Sequence, residues 1–202
     1  MKKIEFFYDV SSPWTYLAFT NIQPLAKEEG AEVIYKPFLV GGVFNTINPS
    51  VYQQRENPVP AKAAYALKDM QDWAELAGIT IKFPPSVFPV NSVKGLRALL
   101  WAEEQGGQIA LAKALFELYW GEDRDISQDD VLAEAAVRAG LDAARLAQAV
   151  NDPAIKAQLK ANTDEVIARG GFGSPTIFVN ETDMYFGNDR LPLVREALRR
   201  AG

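Results

Sequence analysis

The sequence of 202 residues contains no cysteine and no histidine. Without cysteine the chain has no disulfide of its own, no thiol nucleophile and no thiolate ligand for zinc. Without histidine a Ser-His-Asp triad is excluded as well. Catalysis therefore has to come from hydroxyl, amine, guanidinium or carboxyl groups, or from a bound cofactor, and we predict no metal site.

The sequence also lacks a cluster of basic residues and a long apolar stretch near its N-terminus. The formal net charge is −5, and no cluster of lysine and arginine offsets it. We therefore predict no nucleic-acid partner. Near the N-terminus, Glu5 and Asp9 interrupt the apolar stretch that a signal peptide would need. This pattern predicts neither export nor a membrane span, and the expected location is the cytoplasm.

Strand and helix patterns alternate at both ends of the chain. A strand pattern at residues 3–9 precedes a helix pattern at residues 13–29, and residues 31–39 form a second strand pattern. A strand, helix and strand of these lengths predict a parallel, right-handed crossover. Residues 176–180 and 184–186 predict a hairpin, which a last helix follows.

The middle of the chain is predicted to be helical. Gly41-Gly42 and the polar residues 45–60 predict a long ordered loop beside the site. Helix patterns then continue to residue 170, interrupted by a Pro-rich, irregular segment at residues 79–89. We predict an α/β fold with a large all-helical insertion after the second strand. Residues 1–42 and 168–202 would form one domain, and residues 43–167 the inserted helical domain.

The junction of the first strand and the first helix is the strongest local signal for a site. Ser12 is a favourable N-cap, and Pro13 suits the first helical position, where its missing N–H has no partner to lose. A helix start presents unpaired N–H groups and the positive end of a dipole, which together favour an anion. Redox proteins place Cys-x-x-Cys at such a junction, whereas this chain has Ser12 and Thr15 at the two positions.

Asp9 precedes this junction, at the end of the first strand. We predict a structural role for it, with a raised pKa if its carboxyl group is buried.

Four segments, in order along nearly the whole chain, carry a family resemblance: Phe7-Tyr8-Asp9-Val10-Ser11-Ser12-Pro13-Trp14-Thr15-Tyr16-Leu17, Pro60-Ala61-Lys62, Phe172-Gly173-Ser174-Pro175-Thr176 and Phe186-Gly187-Asn188-Asp189-Arg190-Leu191. They resemble 2-hydroxychromene-2-carboxylate isomerases and kappa-class glutathione transferases, which have a DsbA-like thioredoxin fold. The resemblance implies that the domain of residues 1–42 and 168–202 is thioredoxin-like. It also implies a cis peptide bond before Pro175, opposite the start of the first helix.

The resemblance implies roles for individual residues in binding glutathione. Ser12 would hold the sulfur as the catalytic residue, with Ser11 as the neighbouring alternative. The remaining implied contacts are Ser174 and Pro175 at the cysteinyl unit, Asn188 and Asp189 at the γ-glutamyl end, Lys62 at a helix start, and a loop asparagine. That asparagine is Asn48, Asn45 or Asn57, and Asn48 is favoured.

Three of these residues also have a plain structural explanation. Ser12 serves as an N-cap in any case, Asp189 suits a cap of the last helix, and Lys62 suits a solvated first turn.

The implied function is a glutathione-dependent isomerase in which a thiolate stabilised by Ser12 adds reversibly to the substrate. A hydroxyl donor and a helix N-terminus that lower a thiol pKa by about two units would raise its ionised fraction at neutral pH roughly tenfold or more. The alternatives are a kappa-class-like transferase that conjugates an electrophile, and a non-catalytic module that binds thiols or peptides. The expected partners are glutathione, a small aromatic or electrophilic substrate, and a second copy in a homodimer.

Overall fold

The computed structural model describes residues 2–200, with a four-stranded mixed sheet at its centre. The strands are β1 (Lys3–Tyr8), β2 (Glu32–Pro37), β3 (Thr176–Val179) and β4 (Asp183–Phe186). Their order is β2-β1-β3-β4: β1 is parallel to β2 and antiparallel to β3, and β4 is antiparallel to β3. The parallel pairing across the predicted crossover and the predicted hairpin are both confirmed, and the handedness of the crossover stays a prediction.

The helices surround this sheet. Their bounds are α1 (Pro13–Glu29), α2 (Val40–Thr46), α3 (Ser50–Glu56), α4 (Pro60–Ala77), α5 (Val93–Glu104), α6 (Gln108–Phe116), α7 (Asp129–Arg138), α8 (Ala143–Ala149), α9 (Pro153–Ala168) and α10 (Leu191–Arg200). A π-helical turn (Glu117–Gly121) follows α6, and a 3-10 turn (Asn188–Arg190) precedes α10. Within residues 2–200, none of these helices combines the length and apolarity that crossing a bilayer requires.

The prediction of a loop at residues 45–60 is wrong in part, because α2 and α3 occupy much of this segment. Helix α2 includes Gly41 and Gly42, which have low helix propensity. It is stabilised instead by Val40 and Val43, which are buried in a cluster with Phe38 beside the sheet. Burial therefore outweighs propensity in α2, whereas α3 buries none of its residues.

Strand β1 is buried on both faces. Ile4, Phe6 and Tyr8 belong to the large core, which includes residues of α1, α5, α6 and α7. Phe7 points to the other face, where it packs with Phe38 and Phe178. The sheet and the helical segment after β2 thus share one apolar core, and the domain boundaries at residues 42 and 168 stay a prediction.

Charged groups cover the second face of the sheet next to Phe7. Lys36 and Arg169 both contact the carboxylate of Glu5, with N–O distances of 2.8 Å and 2.5 Å. The guanidinium of Arg169 also lies 3.8 Å from the ring centroid of Phe178. Burial alone would raise the pKa of Glu5, but the hydrogen bonds and charges of Arg169 and Lys36 outweigh burial and lower it.

We expect the substitution Glu5→Gln to lower the free energy of unfolding at pH 7 by about 1–3 kcal/mol, because hydrogen bonds to charged groups contribute this much. Since the pKa of Glu5 is lower in the folded state, its contribution is present above the unfolded value near 4.5 and is lost as the pH falls through the folded value. Urea denaturation between pH 3 and pH 7 measures both effects.

The control is Glu32→Gln, which removes the same charge from an exposed position on β2. Equal losses of stability in the two variants would contradict the assigned role of Glu5.

Candidate active site

Helix α1 begins where β1 has just ended, and Ser12 caps it. Ser12 has an extended backbone, and its hydroxyl oxygen accepts the N–H of Thr15 at 3.2 Å, with Pro13 at the first helical position. The predicted helix start is confirmed. Helix α1 is 17 residues long. Because Ser12 is its N-cap, the positive end of the helix dipole lies beside the hydroxyl of Ser12.

The loop before β3 faces this helix start. The Ser174–Pro175 peptide bond is cis, which confirms that prediction. The hydroxyl of Ser12 donates to the carbonyl oxygen of Ser174 at 3.2 Å. The hydroxyl oxygen of Ser174 accepts the N–H of Asp9 at 2.9 Å and lies 2.7 Å from the hydroxyl of Thr15. These contacts hold the two loops together.

The carboxyl group of Asp9 binds backbone N–H groups near the start of α1. Its carboxyl group is fully buried, and its two oxygens accept the N–H of Ser11 at 2.9 Å and the N–H of Val40 at 3.0 Å. Burial raises the pKa of Asp9, although the hydrogen bonds from Ser11 and Val40 act in the opposite direction. The predicted raised pKa is confirmed, and Asp9 joins the start of α1 to the start of α2.

Trp120 supports the same loop from the helical segment. It lies in the π-helical turn after α6, is fully buried, and its indole N–H donates to the carbonyl of Val10 at 2.9 Å. π-Helical turns occur frequently at functional sites. The loop before α1 is therefore held by contacts from both sides.

A cavity of about 600 Å³ opens in front of Ser12, within the range of about 300–1,000 Å³ that ligand pockets occupy. Its walls are largely aromatic and include Trp14, Phe44, Tyr52, Phe83, Phe88, Phe172 and Phe186. Five of these rings remain exposed: Tyr52 37%, Phe83 37%, Phe88 37%, Phe172 40% and Phe186 39%. Exposed rings gathered around one cavity are typical of a ligand site.

Asn48 is the one of the three candidate asparagines that lines this cavity. Its amide N–H donates to the carbonyl of Phe172 at 3.1 Å, and its oxygen accepts the hydroxyl of Ser50 at 2.8 Å. Asn45 accepts the hydroxyl of Tyr52, and Asn57 ends α3.

The 3-10 turn that carries Asn188 and Asp189 is tied to the cis-proline, because the N–H of Gly187 donates to the carbonyl of Pro175 at 3.3 Å. The side chain of Asn188 is buried, accepts the amide of Asn21, and lines a second cavity of about 560 Å³ beside α1. The side chain of Asp189 is exposed and pairs with Arg190. The two side chains do not line the cavity at Ser12.

The remaining predicted residues differ in how near they lie to the cavity. Ser174 lines it, and so does Ser11, next to Ser12. Lys62 lies exposed in the first turn of α4 and does not line it. Ser12, Ser174 and Asn48 are therefore brought together, while Lys62 stays apart from them.

Sequence reasoning missed Arg55 and most of the aromatic wall. Arg55 lines the cavity at the end of α3. It is the one basic residue among residues 45–60, and that isolation could have singled it out. The repeated Phe-Pro pairs at Phe83 and Phe88 were a similar signal for the wall.

The donor set fits a bound thiol compound with a peptide backbone. The cavity combines a hydroxyl at a helix N-terminus with the carbonyl of Ser174 and the amide of Asn48. A helix start and a hydroxyl favour a thiolate over a thiol. Glutathione, which carries a thiol, two peptide bonds and carboxylates, is chemically suited to these groups.

Comparison with known proteins agrees with this geometry. Residues 3–199 match the family model of the DSBA-like thioredoxin domain. The chain is 29% identical to a 2-hydroxychromene-2-carboxylate isomerase of Sphingobium xenophagum over 98% of both chains. It is 28% identical to human glutathione S-transferase kappa 1 over 98% of this chain and 91% of the relative.

A solved structure of a 2-hydroxychromene-2-carboxylate isomerase superposes with a TM-score of 0.82 at 25% identity, covering 98% of this chain and 95% of the other. This match supports the predicted thioredoxin-like fold. The chain belongs to the DSBA-like thioredoxin domain family, and over nearly its whole length it is similar to 2-hydroxychromene-2-carboxylate isomerases and kappa-class glutathione transferases.

Proposed function

We propose that this protein is a glutathione-dependent isomerase of the 2-hydroxychromene-2-carboxylate type, with Ser12 as its catalytic residue. The observation that carries the proposal is the hydroxyl of Ser12, at the first turn of α1 and opposite the cis-proline loop, in a chain without cysteine. A serine stabilises a thiolate but forms no disulfide with it. Such a site suits addition chemistry by a thiol that the ligand brings.

The hydroxyl of Ser12 is free to change its partner. Its bond to the carbonyl of Ser174 measures 3.2 Å, longer than the 2.7–2.8 Å that is usual for O–H to O bonds. An anionic acceptor forms a stronger hydrogen bond than a neutral carbonyl. We expect the hydroxyl to turn from Ser174 to the sulfur when a thiolate enters, while the dipole of α1 favours the negative charge.

When bound, glutathione supplies a thiolate nucleophile. In this proposal the backbone of Ser174, before Pro175, binds the cysteinyl unit, and Asn48 binds from the side of α2. Asn188 and Asp189 bind the γ-glutamyl end from the turn that Gly187 ties to Pro175. Lys62 does not line the cavity in this structure, and in this proposal its exposed side chain binds glutathione from the first turn of α4. The aromatic wall then excludes water and orients a small aromatic substrate above the sulfur.

A kappa-class-like transferase is the second candidate, since the human kappa relative matches nearly as well as the isomerase. Both reactions require the same stabilised thiolate, and the aromatic wall offers apolar contacts to a neutral electrophile and to an acid. The two candidates differ in what happens after the thiolate attacks: an isomerase returns free glutathione, whereas a transferase releases a conjugate. Product analysis by mass spectrometry separates them.

We expect glutathione to bind with a dissociation constant below 1 mM and to release protons at pH 7. A thiol pKa that falls from about 8.5 to about 6.5 on binding corresponds to a release of roughly 0.7 proton. Calorimetry in two buffers of different ionisation enthalpy measures this number. S-methylglutathione has no thiol proton and is the matched control ligand.

Absence of binding at millimolar glutathione would contradict both glutathione-dependent functions and favour a non-catalytic module. If glutathione binds, turnover of the chromene acid against a panel of neutral electrophiles decides between the isomerase and the transferase.

The proposal includes a homodimer in the cytoplasm. Sedimentation equilibrium of the purified protein measures the assembly state, and cell fractionation measures the location. A monomer at micromolar concentration would contradict the homodimer.

A further inference from the structure

Arg55 is held in place by aromatic rings from two different parts of the chain. Its guanidinium carbon lies 5.6 Å from the ring centroid of Phe44, in α2, and 5.6 Å from that of Phe88, in the segment between α4 and α5. Stacking on two rings restricts a side chain that otherwise has many rotamers. A stacked guanidinium keeps the N–H donors at its edge available for a planar partner.

The charge of Arg55 has no internal partner in the part of the chain that the structure describes. Six other arginines form ion pairs with carboxylates there: Arg124, Arg138, Arg169, Arg190, Arg195 and Arg199. No such pair involves Arg55, and its neighbour Glu56 faces another direction because adjacent helical residues do not face each other. Among the described residues, Arg97, Arg145 and Arg200 form no such pair either. Arg55 differs from these three because it lines the cavity at Ser12, where an arginine without a carboxylate suits an anionic ligand.

Arg55 is the one basic residue among those that line the cavity. The acidic residue that lines it, Asp9, is fully buried and occupied by the N–H groups of Ser11 and Val40. An anion that enters therefore meets an aromatic wall, a single cation and no competing carboxylate at the surface of the cavity.

We propose that Arg55 binds the carboxylate of an aromatic acid and so makes this cavity selective for aromatic acids over neutral aromatic compounds of equal size. This proposal rests on the proposed function, because it assumes that the substrate that reacts with glutathione occupies this cavity. Arginine and carboxylate pair through two parallel N–H to O bonds. The side chain of Arg55 is exposed, so its donors are accessible to an acid that enters the cavity. A neutral analogue keeps the contacts with the aromatic wall but loses this pair.

Glutathione also carries carboxylates. The experiment therefore has to distinguish whether Arg55 binds the carboxylate of the aromatic acid or one of glutathione. We first titrate the protein without glutathione, using 2-naphthoate and the uncharged 2-naphthamide as probes. We expect the wild type to bind naphthoate about tenfold or more tightly than naphthamide, in line with the strength of charged hydrogen bonds. In Arg55→Met we expect this ratio to fall to about one, with the affinity for naphthamide unchanged.

Arg145→Met is the matched control, because it removes the same charge from an exposed position on α8. It should keep the wild-type ratio, which separates binding by Arg55 from a general effect of net charge. Arg55→Lys keeps the charge without the planar fork and should retain part of the preference. The unchanged affinity of Arg55→Met for naphthamide also shows that the variant is folded, which is expected because α3 buries no residue.

The second arm measures glutathione. If Arg55 binds the substrate, the dissociation constant of glutathione stays the same in Arg55→Met, while kcat/KM for the chromene acid falls tenfold or more, mainly through KM. A weaker affinity for glutathione with an unchanged naphthoate ratio would assign Arg55 to glutathione and overturn the proposal.

An unchanged naphthoate ratio in Arg55→Met overturns the proposal on its own. A wild type that discriminates between the probes but binds no glutathione would instead contradict the proposed function and leave the inference about Arg55 standing.

Discussion

Replacing Ser12 by alanine is expected to lower turnover at pH 7 by about 10–100-fold and to raise the pKa of the bound glutathione thiol. A thiol that returns from a pKa of about 6.5 to about 8.5 loses most of its ionised fraction at pH 7. Loss of a preorganised donor to a developing or bound anion adds to this effect. The absorbance of the thiolate near 240 nm, followed against pH, measures the pKa directly.

Two matched variants make this test specific. Ser12→Ala also removes the cap on Thr15 and costs about 1 kcal/mol of stability, whereas Ser12→Gly costs only about a few tenths. Both variants should lose the same turnover if the hydroxyl matters for chemistry. Ser11→Ala keeps the backbone N–H that binds Asp9. A larger loss in Ser11→Ala than in Ser12→Ala would transfer the catalytic role to Ser11.

The turnover of Ser12→Ala should recover as the pH rises towards the pKa of an unperturbed thiol, because solution chemistry then supplies the thiolate. A loss that is the same at every pH would mean that Ser12 positions the sulfur without affecting its ionisation. An unchanged rate and thiol pKa would remove Ser12 from the proposed mechanism.

Replacing Asp9 by leucine is expected to lower the free energy of unfolding by about 2–5 kcal/mol. The carboxyl group is fully buried and accepts the N–H groups of Ser11 and Val40. Leucine leaves both donors without an acceptor, and an unpaired buried group costs about 1–3 kcal/mol. Urea denaturation at pH 7 measures the loss, and Asp9→Asn, which keeps one acceptor oxygen, should lose less.

The dependence on pH tests the protonation of Asp9. The pKa of Asp9 is raised in the folded protein above its usual 3.8, so the native state binds more protons than the unfolded state between these two values. Through this window the free energy of unfolding of the wild type should fall with rising pH relative to Asp9→Asn. Above the folded pKa the difference should become constant.

A wild-type stability that rises relative to Asp9→Asn as the pH increases from 3.8 would contradict the raised pKa. Because every other carboxyl group is common to both proteins, the difference between them isolates Asp9.

Local signals in the sequence predicted α1 at both ends. Ser12 and Pro13 start it, and Gly30 ends it in a left-handed conformation at φ 63°. These signals act between residues that are close in the chain, so they are visible without a fold. The prediction failed at α2, because the burial of Val40 and Val43 depends on aromatic residues that other strands supply.

The residues of the candidate site likewise divide into those that the sequence predicted and those that only tertiary contacts brought together. Ser12 was predicted from its position at a helix start, and the resemblance to a known family added Ser174 and cis-Pro175. Arg55 was missed because its position between Phe44 and Phe88 joins residues that are far apart in the sequence. For the same reason, nothing local predicted that the indole of Trp120 would bind the carbonyl of Val10.

The sequence by itself determined that this protein has no thiol, no imidazole and no basic surface cluster, and that a capped helix follows its first strand. These are properties of composition and of neighbouring residues. Only the tertiary structure decided that the hydroxyl of Ser12 meets the carbonyl of Ser174, and that Asn48 and the aromatic wall with its single arginine line the same cavity. These contacts depend on the packing of segments that are distant in the sequence, and the periodicity of a sequence does not predict such packing.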